Sequence, residues 1–222
     1  MAALKFKLYM QISLHQVAPT FIEEEKISTS QLWNNAVVFN ATEKIQIVAP
    51  SGSGKTSLIH FLYGLRKDYR GDISYNAKNI HSFGAEDFAT YRQQHISIVF
   101  QDLRLFADQT VFQNLEIKRQ LNPFHSESKI PVMAKRLGIE SKLNKLCKTC
   151  SYGEQQRIAI IRALQQPFDF LFLDEPFSHL DDDNQKLALE LIEEECALRK
   201  SAIILADLRP IAHFKADKIL NL

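Results

Sequence analysis

The feature that most restricts the fold is a short strand that passes through a glycine-containing loop directly into a helix. Residues 44–48 read KIQIV, residues 49–57 read APSGSGKTS, and residues 57–65 have the apolar spacing of a helix. A strand joined to a helix by a short loop is the building unit of parallel α/β sheets. The sequence therefore predicts an α/β protein in which this loop lies at the carboxyl end of a buried strand.

Further apolar segments extend the pattern along the chain. Other strands are predicted over residues 4–17, 37–39, 96–100, 168–174, 202–206 and 217–222, and other helices over 153–164 and 186–198. In the first strand, alternation places one set of side chains on a common face, namely Leu4, Phe6, Leu8 and Met10. Strands that alternate with helices predict an α/β fold with a largely parallel sheet.

Residues 111–146 interrupt this alternation with a long helical pattern. Pro123 and Pro131 lie within it and mark helix edges, because proline cannot continue a helix interior. We expect a single domain over residues 1–222. Its core lobe comprises about residues 1–100 and 155–222, and the inserted helical lobe comprises about residues 101–154.

Composition excludes several classes of protein. The 27 Lys and Arg residues nearly balance the 26 Asp and Glu residues, for a net charge of +1, which indicates no nucleic-acid partner. No apolar run reaches the roughly 18–20 residues that span a bilayer. The first 14 residues alternate apolar and polar side chains, unlike a signal peptide. An odd number of cysteines, three, favours a reducing compartment. We therefore expect a cytoplasmic location.

Cys147 and Cys150 form a C-x-x-C pair with no second pair and no nearby histidine. A zinc site needs four ligands, so thiols at the end of a helix are the favoured interpretation.

The loop at residues 49–57 has the chemistry of a phosphate-binding site. Gly52 and Gly54 let successive N–H groups point inward at a helix N-terminus. Lys55 can reach the β- and γ-phosphates, and the Thr56 hydroxyl can bind Mg²⁺. The alternative is a plain Gly/Ser turn between strand and helix, which would need neither the lysine nor the threonine. The expected nucleotide contacts are Ser51, Gly52, Ser53, Gly54, Lys55, Thr56 and Ser57.

The first glycine of the G-x-x-x-x-G-K-[ST] pattern is replaced by Ala49. Because Ala49 precedes Pro50, its backbone should be extended with negative φ. Alanine adopts that conformation freely, so we expect the loop to keep its function.

Two carboxylates follow the predicted strand FDFLFLD. Asp174 ends that strand, where it can meet the water shell of Mg²⁺. Glu175 comes next and is placed to act as general base on an attacking water. An ordinary acidic turn after a strand is the alternative, and the neighbouring phosphate loop makes it less favoured.

The stretch CSYGEQQRIAIIRAL, residues 150–164, resembles the signature segment L-S-G-G-[EQ]-Q-Q-R-x-x-I-A-R-A-L of ATP-binding cassette (ABC) ATPases. Gln101 resembles the glutamine-loop residue, the stretch SHLD at residues 178–181 resembles the D-loop, and Phe21 aligns loosely with the aromatic residue that stacks on adenine. The resemblance runs from about Leu14 to the C-terminus. Within the family, QDLRLFADQTVFQNL is similar to the FtsE cell-division ATPase and, in part, to lipoprotein-release and MacB-type ATPases.

This resemblance implies a P-loop NTPase fold of the ABC type, with a mixed, mostly parallel core sheet, an N-terminal antiparallel β subdomain and an inserted helical subdomain. It implies two copies that enclose two ATP molecules with Mg²⁺, each ATP between one phosphate loop and the signature segment of the other copy. The segment would contribute Ser151, Gly153 and Glu154. Gln101 would belong both to the catalytic set and, with Thr56 and Asp174, to the metal ligands.

The resemblance also implies a membrane partner. That partner would be a separate permease-like subunit, similar to FtsX, that crosses the bilayer a few times and has a large extracytoplasmic domain. The chain would then sit on the inner face of the cell membrane. The inserted lobe and Gln101 would form the surface that couples ATP closure to the partner.

Three residues depart from the family pattern. Cys150 is a mild exchange for leucine. Tyr152 replaces a glycine, and is strained there only if the position needs positive φ.

Asp207 aligns with the switch histidine, which belongs to the catalytic set. Two like charges about 4 Å apart repel by about 4 kcal/mol at an effective dielectric near 20, so Asp207 must turn away, take up a proton or find a cation, and slow hydrolysis is expected.

His179 in the D-loop offers a compensating contact. We hypothesise that it pairs with Asp207 of the second copy across the dimer interface. The alternative is a surface histidine with no such role.

Three functions therefore stay open at this point. The first is the ATPase subunit of a membrane ABC complex, which the intact Lys55, Thr56, Gln101, Asp174 and Glu175 favour. The second is an ATP-gated dimerisation module with very slow hydrolysis, which Asp207 and Tyr152 favour. The third, a soluble ABC ATPase of DNA repair, is disfavoured because the chain has no coiled-coil insertion and is nearly neutral.

Overall fold

A computed structural model describes residues 10–222. Its strands are β1 (Ile12–Pro19), β2 (Ala36–Phe39), β3 (Lys44–Val48), β4 (Tyr69–Tyr75), β5 (Lys78–Asn79), β6 (Ile96–Val99), β7 (Phe170–Asp174), β8 (Ala202–Asp207) and β9 (Lys218–Asn221). Its α-helices are α1 (Glu24–Ser28), α2 (Lys55–Leu62), α3 (Ala85–Gln94), α4 (Val111–Leu121), α5 (Lys129–Arg136), α6 (Tyr152–Ala163) and α7 (Asp182–Arg199). Leu4, Phe6 and Leu8 of the first predicted strand lie outside the described residues, and Met10 is buried.

The core is a parallel sheet in the order β6-β7-β8-β3-β9. All four strand pairs in it are parallel. The antiparallel pairs belong to a separate sheet in the order β2-β1-β4-β5. The predicted fold class is confirmed, and the mixed character arises from two sheets of different kind.

The strand β7 shows why the parallel strands are apolar throughout. Phe170 and Phe172 point to one face, where they join a core shared with α2 and the antiparallel sheet. Leu171 and Leu173 point to the other face, where they join a core shared with α6, α7 and the inserted helices. A strand covered on both faces has no polar side to expose.

The helical segment between β6 and α6 contains the predicted breaks. Helix α4 ends at Leu121, just before Pro123, and α5 holds Pro131 in its first turn, where a missing N–H costs nothing. Within residues 10–222, no helix combines the length and the apolar character that a membrane span requires.

Several elements did not follow from the sequence pattern. Helix α3 is mostly polar and buries only Phe88, so it has no clear apolar stripe. Strand β4 contains Gly71, and its partner β1 is irregular between His15 and Ala18, so neither strand alternates strictly over its full length.

Gly71 gives a test of this irregular pairing. It has φ +82°, and an added Cβ would lie 2.2 Å from the carbonyl oxygen of Gln16. Gly138 has a similar φ of +66° but has open space where a Cβ would go. We expect Gly138→Ala to cost about 1–2 kcal/mol in the free energy of unfolding from backbone conformation alone. Gly71→Ala should cost about 1–3 kcal/mol more, because the backbone must shift. Urea unfolding measures both, and equal losses would contradict this account of the β1–β4 pairing.

Candidate nucleotide-binding site

The phosphate loop joins β3 to α2 in the predicted way. Gly52 has φ 79° and Gly54, the N-cap of α2, has φ 100°. These left-handed conformations turn the loop's N–H groups toward its centre, at the positive end of the helix dipole. Ala49 has negative φ and is buried, and its N–H donates to the carbonyl of Asp207 at 3.2 Å. The missing glycine therefore causes no backbone strain.

Trp33 supports the loop from behind. Its indole N–H donates to the carbonyl of Ser53 at 3.3 Å, and an added Cβ on Gly54 would lie 3.1 Å from the Trp33 ring. Ser53 is further held by a 2.8 Å bond from its hydroxyl to the carbonyl of Pro50. The sequence contained no signal for this role of Trp33, because the contact joins segments that no motif connects.

Lys55, Thr56, Gln101 and Glu175 form one connected network. The Lys55 amine donates to the carbonyls of Ala49 and Pro50 at 2.8 and 3.1 Å, and lies 3.5 Å from a carboxylate oxygen of Glu175. The Thr56 hydroxyl donates to Oε1 of Gln101 at 3.1 Å. The Gln101 amide donates to the other oxygen of Glu175 at 3.3 Å. Four residues predicted from three separate motifs thus meet at one point.

Asp174 lies beside this network and is almost fully buried. Neither of its carboxylate oxygens has a hydrogen-bond partner among residues 10–222. Burial raises the pKa of Asp174 to about 6, and the nearby Thr56 hydroxyl lowers it in part. The single proton of that hydroxyl is directed to Gln101, however, which leaves the carboxylate unpaired.

Asp174, Thr56 and Gln101 line a common recess and suit a divalent cation. All three offer oxygen atoms, which Mg²⁺ prefers, and a buried carboxylate without a partner is stabilised by a cation. These residues fit the metal that the sequence led us to expect.

Glu175 has an unusual backbone. Its φ is +46°, in the left-handed region that non-glycine residues seldom adopt, and its N–H donates to the carbonyl of Ala206 in β8 at 2.9 Å. Such strain, of order 1–3 kcal/mol, is found where the surrounding structure holds a residue for function. With this backbone, the Glu175 carboxylate contacts both Lys55 and Gln101.

Asp207 ends β8 at the same edge of the sheet. One oxygen of its half-buried carboxylate accepts the N–H of Leu208 at 2.7 Å. Burial raises the pKa of Asp207, the backbone N–H groups of Leu208 and Arg209 lower it, Glu175 raises it further and Lys55 lowers it. Within its own chain the carboxylate is therefore bonded to its own backbone and has a raised proton affinity.

The recess above the loop is lined by Phe21, Ser51, Gly52, Gly54, Lys55, Thr56, Ser57, Gln101 and Glu175. The Phe21 ring is half exposed there, with the guanidinium of Arg66 4.6 Å from its centre. The signature residues Ser151, Gly153 and Glu154 do not line this recess. The structure thus brings the predicted loop residues other than the buried Ser53 together with Phe21 and Glu175, and leaves the signature segment outside their recess.

The signature segment caps helix α6. Ser151 is the N-cap. Its hydroxyl accepts from the N–H of Glu154 at 3.3 Å, and its own N–H donates to the Glu154 carboxylate at 2.8 Å. Glu154 also lies 3.1 Å from the amine of Lys142. Glu154 therefore holds the cap, and the Ser151 hydroxyl keeps its proton available to a ligand.

The D-loop packs closely against the signature segment. An added Cβ on Gly153 would lie 2.9 Å from the carbonyl of His179, which explains why glycine occupies this position. Buried Gln156 bonds both the Ser178 hydroxyl, at 2.9 Å, and the His179 N–H, at 3.0 Å. No sequence signal assigned this role to Gln156.

Two alternatives raised by the sequence have definite outcomes in the structure. Tyr152 is the first residue of α6 and has negative φ, so its ring projects without strain. Cys147 and Cys150 are buried free thiols that lie in and just after a short 3-10 turn, and burial raises the pKa of both.

The glutamine loop is held by Arg162 of α6. The Arg162 guanidinium donates to the carbonyls of Leu103 and Arg104, two residues with φ of 57° and 47°. Burial lowers the pKa of Arg162 to about 10. The arginine lies in the signature pattern, but its partners became visible only in the tertiary structure.

Comparison with known proteins agrees with this geometry. The family model described as "ABC transporter" matches residues 33–178. The chain belongs to the ABC transporter family of ATP-binding proteins.

Individual relatives vary in their named roles. The chain is 36% identical over 151 residues to the lipoprotein-releasing system ATP-binding protein LolD of Buchnera aphidicola. The matched residues make up 67% of this chain and 66% of LolD. It is 34% identical over 166 residues to the thiamine import ATP-binding protein ThiQ of Histophilus somni, covering 73% and 75% of the two chains. It is 31% identical over 175 residues to the macrolide export protein MacB of Nitrosomonas europaea, covering 78% of this chain and 27% of MacB.

Solved structures show the same fold. The dimeric structure of MJ0796, a bacterial ABC transporter cassette, matches with a TM-score of 0.80 at 22% identity, covering 95% of this chain and 94% of that one. A post-hydrolysis form of MJ0796 bound to ADP and phosphate matches with a TM-score of 0.81 at 21% identity.

The raised pKa of Asp174 predicts a pH dependence of stability. The folded chain keeps this proton at pH values where the unfolded chain has lost it, so the free energy of unfolding falls as pH rises from about 4 to about 6. In metal-free buffer, wild type should lose about 2–3 kcal/mol relative to Asp174→Asn between pH 4 and pH 7. Urea unfolding at several pH values measures this. Asp183→Asn, at an exposed position of α7, is the control and should follow wild type; parallel curves for wild type and Asp174→Asn would contradict the buried, unpaired carboxylate.

Proposed function

We propose that this chain is the ATP-binding and ATP-hydrolysing subunit of an ABC-type membrane complex. ATP closes a dimer of two copies, and this closure is coupled to a separate transmembrane subunit. The observation that carries the proposal is the network in which Gln101 joins Thr56 of the phosphate loop to Glu175. A loop that only turned the chain would need no such link.

Each residue of the site has a chemical task in this proposal. The inward N–H groups of the loop and the charge of Lys55 hold the phosphates, and Phe21 offers an aromatic face for the base. Thr56, Gln101 and Asp174 would hold Mg²⁺. The positive charge of that ion would offset the negative charge of the phosphates. Glu175 takes the proton of the water that attacks the γ-phosphorus, and the bond to the β-phosphate oxygen breaks to leave ADP and phosphate.

The second copy completes each site. The Ser151 hydroxyl and the Gly153 N–H lie at the start of the 12-residue helix α6, where the dipole favours an anion. They lie outside the recess of their own loop, as expected of groups that serve the nucleotide of a partner. The dimeric form of a structurally similar cassette supports this arrangement.

A groove between the core and the inserted helices is the proposed coupling surface. It is lined by the exposed apolar side chains Phe106, Ile117 and Leu121, and by Lys118. Burial lowers the pKa of Lys118 to about 8, with Arg162 and Arg92 contributing. Phe100 and Arg104, on either side of Gln101 in the sequence, also line the groove, so a subunit docked there would contact the glutamine loop. The permease named in MacB supports a membrane partner. We further propose that this partner is FtsX-like and that the chain lies on the inner face of the cell membrane.

Glu175→Gln tests the proposed activity. Loss of a general base should lower ATP turnover by about 10²–10⁴-fold, while ATP binding persists and ATP traps a dimer. Turnover assays and light scattering on the same samples measure both effects. Glu86→Gln, at an exposed position of α3, is the control and should keep wild-type turnover. Absence of ATP binding in wild type would overturn the proposal.

Substitutions at Asp207 distinguish an ATPase that hydrolyses ATP rapidly from an ATP-gated dimerisation module that hydrolyses it slowly. Asp207→Asn removes the negative charge near the γ-phosphate, and Asp207→His also adds a hydrogen-bond donor. We expect turnover to rise by about 3- to 10-fold in the histidine variant, with the asparagine variant in between. Unchanged turnover in both would show that Asp207 does not limit hydrolysis.

The proposed pairing of His179 with Asp207 of the second copy is tested in the same series. In its own chain, His179 bonds the Ser178 hydroxyl at 2.9 Å and packs on Tyr152. If the pair forms, His179→Ala should weaken ATP-driven dimers of wild type more than those of Asp207→His. A His179→Ala variant that dimerises and hydrolyses ATP as well as wild type would refute the pairing.

A further inference from the structure

The side chain of Tyr152 links the signature segment to the glutamine loop of the same chain. Its hydroxyl donates to the backbone carbonyl of Gln101 at 3.2 Å, across 51 residues of sequence. Its ring centre lies 4.2 Å from that of His179 in the D-loop. The family pattern has glycine at this position, so this chain makes a connection that the pattern does not provide.

Gln101 is the shared member of two sets of contacts. Its side chain accepts from Thr56 and donates to Glu175, within the proposed nucleotide site. Its backbone carbonyl accepts from Tyr152. Because both sets of contacts belong to one residue, a displacement of Gln101 when the nucleotide site fills also reaches Tyr152.

The far end of the link is rigid. Tyr152 directly follows Ser151, whose cap is closed by Glu154 in both directions and reinforced by Lys142. On the other side, His179 is tied to α6 by Gln156. The first turn of α6, the D-loop and the Tyr152 ring are therefore held together by direct contacts.

We propose that Tyr152 is a positioning residue that transmits occupancy of a chain's own phosphate loop to its signature segment. The inference rests on the proposed function, in which that segment contacts the nucleotide bound by the second copy. Tyr152 then couples the two nucleotide sites of the dimer, through a hydroxyl–carbonyl bond that depends on Gln101.

The variant Tyr152→Phe removes only the hydroxyl. The ring and its contact with His179 remain, and the side chain is 43% exposed, so water can replace the lost bond and the protein should fold. Tyr91→Phe is the matched control, because the Tyr91 hydroxyl has no hydrogen bond within residues 10–222, although its ring is packed among Phe83, Tyr75 and His95.

Amide hydrogen exchange tests the link without need of a dimer. Exchange of residues 151–155 is measured with and without Mg²⁺ and a non-hydrolysable ATP analogue, at a protein concentration where light scattering shows monomers. In wild type and Tyr91→Phe the analogue should slow exchange by about 2- to 10-fold, the equilibrium value of one hydrogen bond. In Tyr152→Phe this protection should be lost. Equal protection in all three proteins, or none in wild type with the analogue bound, would overturn the inference.

Trp33, the single tryptophan of the chain, reports whether the analogue is bound. It contacts the phosphate loop and is buried, so its fluorescence should follow nucleotide binding. Exchange is compared at analogue concentrations that saturate all three proteins. If nucleotide binding strengthens the Tyr152–Gln101 bond, that bond strengthens nucleotide binding by the same factor, so Tyr152→Phe should bind the analogue at most about 10-fold more weakly than wild type. A larger loss of affinity would also overturn the inference.

Dimerisation separates this inference from the proposed function. With ATP, Tyr152→Phe dimers should dissociate at protein concentrations about 5- to 100-fold higher than wild type, since each dimer contains two such links. A wild type that never dimerises with ATP would refute the proposed function, while the exchange result would still decide the link within one chain. Equally stable dimers in both proteins would refute the coupling between sites.

Discussion

The parallel register of β3, β7 and β8 is the constraint on which the whole site depends. It pairs Asp174 with Ala206, and Val48 with Asp207, so three strands end side by side. The residues that follow those ends are the phosphate loop, Glu175 and Leu208. Because all strands of this sheet run in one direction, groups from residues 48, 174 and 207 meet without any long-range loop to bring them together.

This common edge concentrates negative charge. Asp174, Glu175 and Asp207 converge there, and Lys55 is the nearby cation, already bonded to loop carbonyls. Burial raises the pKa of both aspartates, which is the physical sign of insufficient compensation. A polyphosphate adds further negative charge, so a divalent cation and the N–H groups of the loop are needed to bind it.

The departures from the family pattern form a connected set. Tyr152 packs on His179, and Asp207 lies at the sheet edge with Glu175. In the proposed dimer these residues lie on the side that meets the second copy. The phosphate loop, by contrast, keeps its geometry despite Ala49. In the proposed function, the unusual residues of this chain would therefore affect communication between two copies more than ATP binding by one copy.

Local sequence determined the strand–loop–helix unit, the buried strands, the phosphate loop and the carboxylates at the end of β7. Each depends on residues close in sequence, whose spacing and polarity follow directly from strand and helix geometry. Only the tertiary structure decided the supports provided by Trp33, Gln156 and Arg162, the left-handed backbone of Glu175, and the conformation of Tyr152. Weakly patterned elements such as α3 and β4 also required it. The physical reason is that these features depend on contacts between distant segments and on burial, where packing overrides local preference and no motif records the partner.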